Sequence, residues 1–195
     1  PGSVSRGATG MRHLVFLLEE PSAKDALQAW VPTWLPADVT PHYLVFQGKQ
    51  DLEGRMVLRM RHWLLPDSRF VVMRDQDSGD CRQVKAVLQE RCRAAGRADA
   101  VVRVACRELE SFFVGDWQAV AQAYNRPALA RLAARARFRE PDALGSPSQE
   151  LARHLGSYQK RDGARRIAPL IDPARNRSRS FHALRSAVLA LGTAP

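Results

Sequence analysis

Apolar runs and amphipathic segments alternate along the first two thirds of this chain. His13–Leu18 (HLVFLL) is continuous rather than alternating, as in a strand covered on both faces. Three more such runs follow: His42–Phe46 (HYLVF), Arg69–Met73 (RFVVM) and Ala100–Ala105 (AVVRVA). The intervening segments carry helix signals. Glu19-Glu20-Pro21-Ser22 opens one, with a proline near the first turn and acids near the positive end of the helix dipole, and Ala23–Trp30 continues it. Asp51–Leu64 sets Leu52, Met56, Leu58, Met60 and Trp63 as its apolar positions. Cys81–Ala95 is closed by Gly96, and Arg107 begins a further helix. Four strand–helix alternations predict an α/β fold: a mostly parallel, Rossmann-like four-stranded sheet flanked by helices.

After Asn125 the pattern changes. Ala128–Arg137 is rich in Ala and Arg and reads as helix, Ser148–Leu155 as a short helix, and Ser178–Leu191 as a last one, with Pro141, Pro147, Pro169 and Pro173 between them. The expected organisation is an α/β domain over 11–125 and a basic α-helical extension over 126–195 packed on it. Residues 1–10 are small and polar and read as a cloning remnant ahead of a native start at Met11.

Charge sharpens this division. The 195 residues carry a net charge of +10. Residues 1–125 hold 16 basic and 15 acidic side chains, whereas 126–195 hold 14 basic and 5 acidic. The excess therefore sits in the extension and points to an anionic partner there, or simply to a sequence that uses Arg wherever a solvated cation serves. No apolar run reaches the roughly 18–20 residues of a membrane span, so no membrane association is expected. Three cysteines (81, 92 and 106) without CxxC spacing suggest neither a disulfide framework nor a zinc site, and fit a reducing cytoplasm.

Function in an open parallel sheet belongs at the C-terminal ends of the strands. Here the first strand ends in Glu19-Glu20, the third in Asp75-x-Asp77 with Asp80 close behind, and the fourth just before Glu108-x-Glu110. So many carboxylates on one rim repel one another unless a cation neutralises them, and oxygen-only ligands suit Mg²⁺ or Mn²⁺. Such a cluster can drive attack on a phosphodiester. The competing account is helix capping, which suits Asp80 and Glu108 better than Asp75 and Asp77.

Other chemistries lack their motifs. Gly48-Lys49 is not part of a phosphate-binding GxxxxGK[ST] loop, and neither GxGxxG nor GxSxG occurs. The histidines show no ligand spacing, and Cys106 reads as a buried structural thiol.

Leu18-Glu19-Glu20-Pro21-Ser22-Ala23-Lys24 resembles the first-strand signature of Toprim domains, and Asp75-Gln76-Asp77 resembles their DxD motif. With Arg107-Glu108-Leu109-Glu110-Ser111-Phe112 and Tyr158-Gln159-Lys160, nearly the whole chain is similar to a family of small stand-alone bacterial Toprim-like proteins of unknown function, often encoded beside ATPases. The resemblance implies a Mg²⁺-dependent nuclease, the effector partner of a separate ATPase in phage defence or genome maintenance. It makes Glu19 the acid/base and metal-binding glutamate, Asp75 and Asp77 the metal pair, Glu108 and Glu110 ligands of a second ion, and Lys160 the stabiliser of developing phosphorane charge. Ala23 departs from the pattern where many such nucleases carry an acid, with Glu20 or Asp25 as possible substitutes.

Tyr158 reads as a packing and hydrogen-bonding residue, not a nucleophile. Arg161, Arg165, Arg166, Arg175, Arg177 and Arg179 would contact a nucleic-acid backbone, DNA or RNA. Two alternatives stand beside this reading: a catalytically inactive Toprim-like binding or adaptor protein, and an enzyme acting on small phosphorylated substrates.

Overall fold

The four apolar runs form one sheet. In the computed structural model, which describes residues 11–193, β1 (Arg12–Leu18), β2 (Val39–Val45), β3 (Ser68–Asp75) and β4 (Val101–Ala105) lie in the order β2-β1-β3-β4 and are all parallel. The register aligns Leu18 with Val45 and Met73, and Asp75 with Ala105, so the strand ends share one rim. The chain turns one way from β1 to β2 and the other way from β3 to β4. The switch point, where a crevice opens in such sheets, falls between the ends of β1 and β3. The remnant expected over 1–10 lies outside the described residues.

Alternate residues along the strands divide the core in two. Leu14, Phe16 and Leu18 of β1 and Val71 and Met73 of β3 face one side, while Val15, Leu17, Phe70 and Val72 face the other. The second face is covered by α2 (Lys49–Arg61) and α3 (Cys81–Ala94) through Leu52, Met56, Met60, Leu88 and Cys92. Asp80 caps α3, its carboxylate accepting from the Arg82 and Gln83 amides at 2.8 and 2.9 Å. Asp80→Ala is expected to cost about 1 kcal/mol, read as a fall in the denaturant midpoint.

The first face is covered by α1 (Pro21–Trp34) and by everything that follows β4: α4 (Glu110–Val114), α5 (Trp117–Ala123), α6 (Pro147–Leu155), α7 (Lys160–Ile167) and α8 (Arg179–Thr193). Trp30 of α1 is the hub. Its indole donates to the Ala168 carbonyl at 2.8 Å, and its ring meets Phe181 of α8 edge-on at 5.1 Å. The basic extension thus shares the principal core with the sheet.

Two elements depart from expectation. The helix predicted over Ala128–Arg137 is a pair of 3₁₀ turns, Pro127–Ala134 and Ala136–Phe138. Leu129 and Leu132 are three apart, so they share a side of a three-residue turn, and Phe138 is fixed against Trp117. Conversely, α7 has no counterpart in the sequence pattern, because Lys160–Ile167 (KRDGARRI) has a glycine at its centre and only Ala164 and Ile167 as apolar positions. Among the described residues no helix is long and apolar enough to cross a membrane.

Candidate functional site

The acids expected together on one rim are sorted by the two faces of the sheet. Glu19 continues the parity of Val15 and Leu17, toward α2, whereas Glu20 continues that of Leu14, Phe16 and Leu18, toward α1. In β3, Arg74 follows Phe70 and Val72 toward α2, and Asp75 follows Val71 and Met73 toward α1 and α7.

On the α2 side the acids are bound by cations. Arg74, itself buried, pairs with Glu53 at 2.5 Å, Asp77 at 3.6 Å and Glu19 at 3.9 Å. Asp77 also meets Lys49 at 3.3 Å. Glu19 accepts from the Asp75 backbone N–H at 2.9 Å, which ties the end of β1 to the end of β3. Burial raises the Glu19 carboxyl above its ordinary range, against the Asp75 amide and Arg74, which act to lower it.

On the α1 side the acids gather around a single lysine. Lys160, the first residue of α7, places Nζ 3.1 and 3.3 Å from the two Glu20 oxygens and 3.9 Å from Asp75 Oδ2. Ser22 donates to Glu20 Oε1 at 2.8 Å. Glu110, fully buried, accepts from the Tyr158 hydroxyl at 3.1 Å through Oε1, and its Oε2 has no hydrogen-bond partner. Burial, then the charge of Lys160 acting against it, leaves the Glu110 carboxyl raised to about 7. Burial pushes the Asp75 carboxyl well up, helped by the nearby charges of Glu110 and Glu20. Burial opposes the Lys160 charge, but Glu110, Glu20 and Asp75 overcome it and raise the ammonium's pKa. Tyr158 is kept a phenol by burial and by Glu110.

Local sequence builds this arrangement. Arg161 and Arg165 clamp Asp25 of α1 at 2.8 and 3.4 Å, which draws the start of α7 to the mouth of the cluster. Gly163 lies on the buried side of α7, where any side chain would occupy the space of the Tyr158 ring. Asp77 and Arg107 both adopt left-handed backbone, φ 56° and 62°, and lock the loops after β3 and β4 together: the Asp77 amide donates to the Arg107 carbonyl at 2.9 Å. Uncommon conformations of this kind tend to gather at functional sites.

The expected convergence of Glu19, Asp75 and Asp77 is therefore replaced by Glu20, Asp75 and Glu110 around Lys160. Arg74 and Lys49 hold Asp77 away from the cluster, and strand parity turns Glu19 aside. Glu108 accepts from the Ser148 amide at 2.8 Å and so serves the first turn of α6. Among the described residues, no three His, Cys, Asp or Glu side chains stand ready as a metal shell. The donor set is that of a hard-cation site, three carboxylates with oxygen donors only and one oxygen buried without a partner, while Lys160 already sits against two of the carboxylates.

Most of the arginines expected at a nucleic-acid backbone have partners within the fold. Besides the Asp25 clamp, Arg166 pairs with Asp162 at 2.9 Å, Arg175 with Asp116 and Asp172 at 3.1 and 2.8 Å, and Arg177 donates to the Ala133 carbonyl at 2.6 Å. Arg179 is the open one, its side chain 88% exposed and 4.0 Å from Glu140.

A family described as a domain of unknown function (DUF4276) matches residues 18–189. No curated protein and no solved structure matches the chain.

Proposed function

Since the chain belongs to the DUF4276 family, whose description assigns no chemistry, we propose from the site itself a Toprim-type, Mg²⁺- or Mn²⁺-dependent phosphodiesterase that cuts nucleic acid. One observation carries this reading: Glu110 Oε2 is fully buried and unpartnered beside Asp75 and Glu20, at the switch point of a parallel sheet. A buried, unsatisfied carboxylate oxygen is costly, and a ligand at the cluster relieves that cost.

Glu20, Asp75 and Glu110 would hold the cation. When bound, it supplies Lewis-acid polarisation of a phosphodiester oxygen. The chain's own groups do the rest. Glu110, raised to about 7 by burial, would give up its proton to hold the cation near neutral pH. Tyr158, donating to Glu110 Oε1, fixes which oxygen remains available. Lys160 exchanges its Glu20 contact for the phosphoryl oxygens and stabilises charge as it develops there. Glu19 acts on position, holding the Asp75 backbone and so the end of β3.

Arg179, together with whichever arginines exchange their internal acids for phosphates, would meet the nucleic-acid backbone. The resemblance to stand-alone Toprim-like proteins adds a separate ATPase as partner and a role in phage defence or genome maintenance, in the cytoplasm.

A second reading has its own support. Lys160 already compensates Glu20 and Asp75, as a permanent counter-ion would in a catalytically inactive binding or adaptor protein. Calorimetry with Mn²⁺, alongside incubation of plasmid DNA and tRNA with Mg²⁺ or Mn²⁺, with and without a candidate ATPase partner, separates the two. The nuclease reading expects Mn²⁺ binding and metal-dependent cutting. Intact DNA binding without Mn²⁺ binding selects the adaptor.

A further inference from the structure

The three cysteines of the chain are all free, and two of them meet. Cys81 is the first residue of α3, and Cys106 follows directly on β4. Cys106 shares the parity of Val102 and Val104, which turns it toward the face that α3 covers. Both thiols line a surface concavity of about 380 Å³, with Lys85, Arg103 and Arg179 on its walls. Within it the Cys81 and Cys106 thiols lie close enough to influence each other. Neither is fully buried, whereas Cys92 is. The expectation of a buried, inert Cys106 therefore gives way to a partly exposed thiol that shares a concavity with another.

We propose that Cys81 and Cys106 form an oxidisable dithiol, a modification site that hydrogen peroxide converts to an intramolecular disulfide. Electrons and atoms balance in two displacements. One sulfur attacks the peroxide: its S–O bond forms, the O–O bond breaks, and water leaves with the thiol's proton. The second sulfur attacks the resulting sulfenic acid: the S–S bond forms, the S–O bond breaks, and the departing hydroxide takes the second proton as water. Two electrons pass from the thiol pair to the peroxide. Either thiol can make the first attack; burial, reinforced by the charge of Asp142, pushes the Cys106 thiol up and disfavours its thiolate. The link would join the start of α3 to the exit of β4, two elements that flank the Gln76–Asp77 loop.

The test treats the full-length chain with hydrogen peroxide, counts free thiols and maps peptides without reduction. Two of the three thiols should disappear, a single cross-linked peptide pair should carry Cys81 and Cys106, and dithiothreitol should restore all three. Cys81→Ser and Cys106→Ser should each abolish the intramolecular link while Cys92 stays unmodified. Retention of all three thiols, under conditions that fully oxidise glutathione, would overturn the proposal. So would separate over-oxidation of Cys81 and Cys106, or links that form only between chains.

Discussion

Asp75→Asn should leave the protein folded and remove the cleavage activity proposed for it. The carboxylate of Asp75 is buried beside Glu110 and Glu20, and burial already favours its neutral form. An uncharged side chain of the same shape relieves that cost, and the backbone N–H that Glu19 accepts from is untouched. The melting temperature at pH 7 should therefore hold or rise. In the proposed nuclease, activity would depend on the opposite state, the charged oxygen that would help hold the cation, and losing it should slow cutting by about 100-fold or more. Measured on one preparation, a cleavage rate and a thermal melt are enough. A variant that melts normally and cuts at the wild-type rate would remove Asp75 from the site.

Glu110→Gln tests the same cluster through stability. The Glu110 carboxyl in the fold titrates at about 7, against an ordinary 4.5. Between those two values the unfolded chain has given up its proton and the folded chain has kept it. Stability contributed by this group is therefore full below about pH 4.5, declines as pH rises toward 7, and is level above. The amplitude is about 3 kcal/mol. Glutamine has no charge to bury, and its amide oxygen still accepts from Tyr158. At pH 8 the variant should be more stable than the wild type by an amount of that order, and its melting temperature should lose most of the decline. A residual decline of the same sign belongs to Asp75. Parallel pH profiles for the two proteins would mean that Glu110 titrates as an ordinary surface glutamate. Because Mn²⁺ competes with protons for these oxygens, its affinity for the wild type should increase across the same interval.

The sheet was legible because it is written in apolar runs. HLVFLL and RFVVM are too continuous for surface strands, and each is followed by helix-opening residues. The Asp80 cap was legible too, since an acid just ahead of a helix has few better uses. The rim itself was only half legible. Adjacent acids such as Glu19 and Glu20 look equivalent in a list, yet strand parity sends them to opposite faces. Extending the alternation of β1 and β3 by one residue would have paired Glu20 with Asp75 and set Glu19 beside Arg74. The Arg74–Asp77 pairing was harder to foresee, because it depends on a left-handed turn at a non-glycine residue. The helix beginning at Lys160 leaves almost no hydrophobic signal. What holds it is the Asp25 clamp and the fit of Tyr158 over Gly163, contacts between residues far apart in the chain.

The Trp30 hub has a consequence for how the molecule is made. Its indole partner lies 138 positions downstream, and the Phe181 ring stacked edgewise on it belongs to the final helix. Until α8 is made, the α1 face of the nascent sheet and the Trp30 ring on α1 have only part of their cover. The growing polypeptide must hold that oily surface until α8 clears the ribosome, with chaperones as its natural escorts meanwhile. Messages interrupted before that point would yield a sticky product rather than a smaller working one.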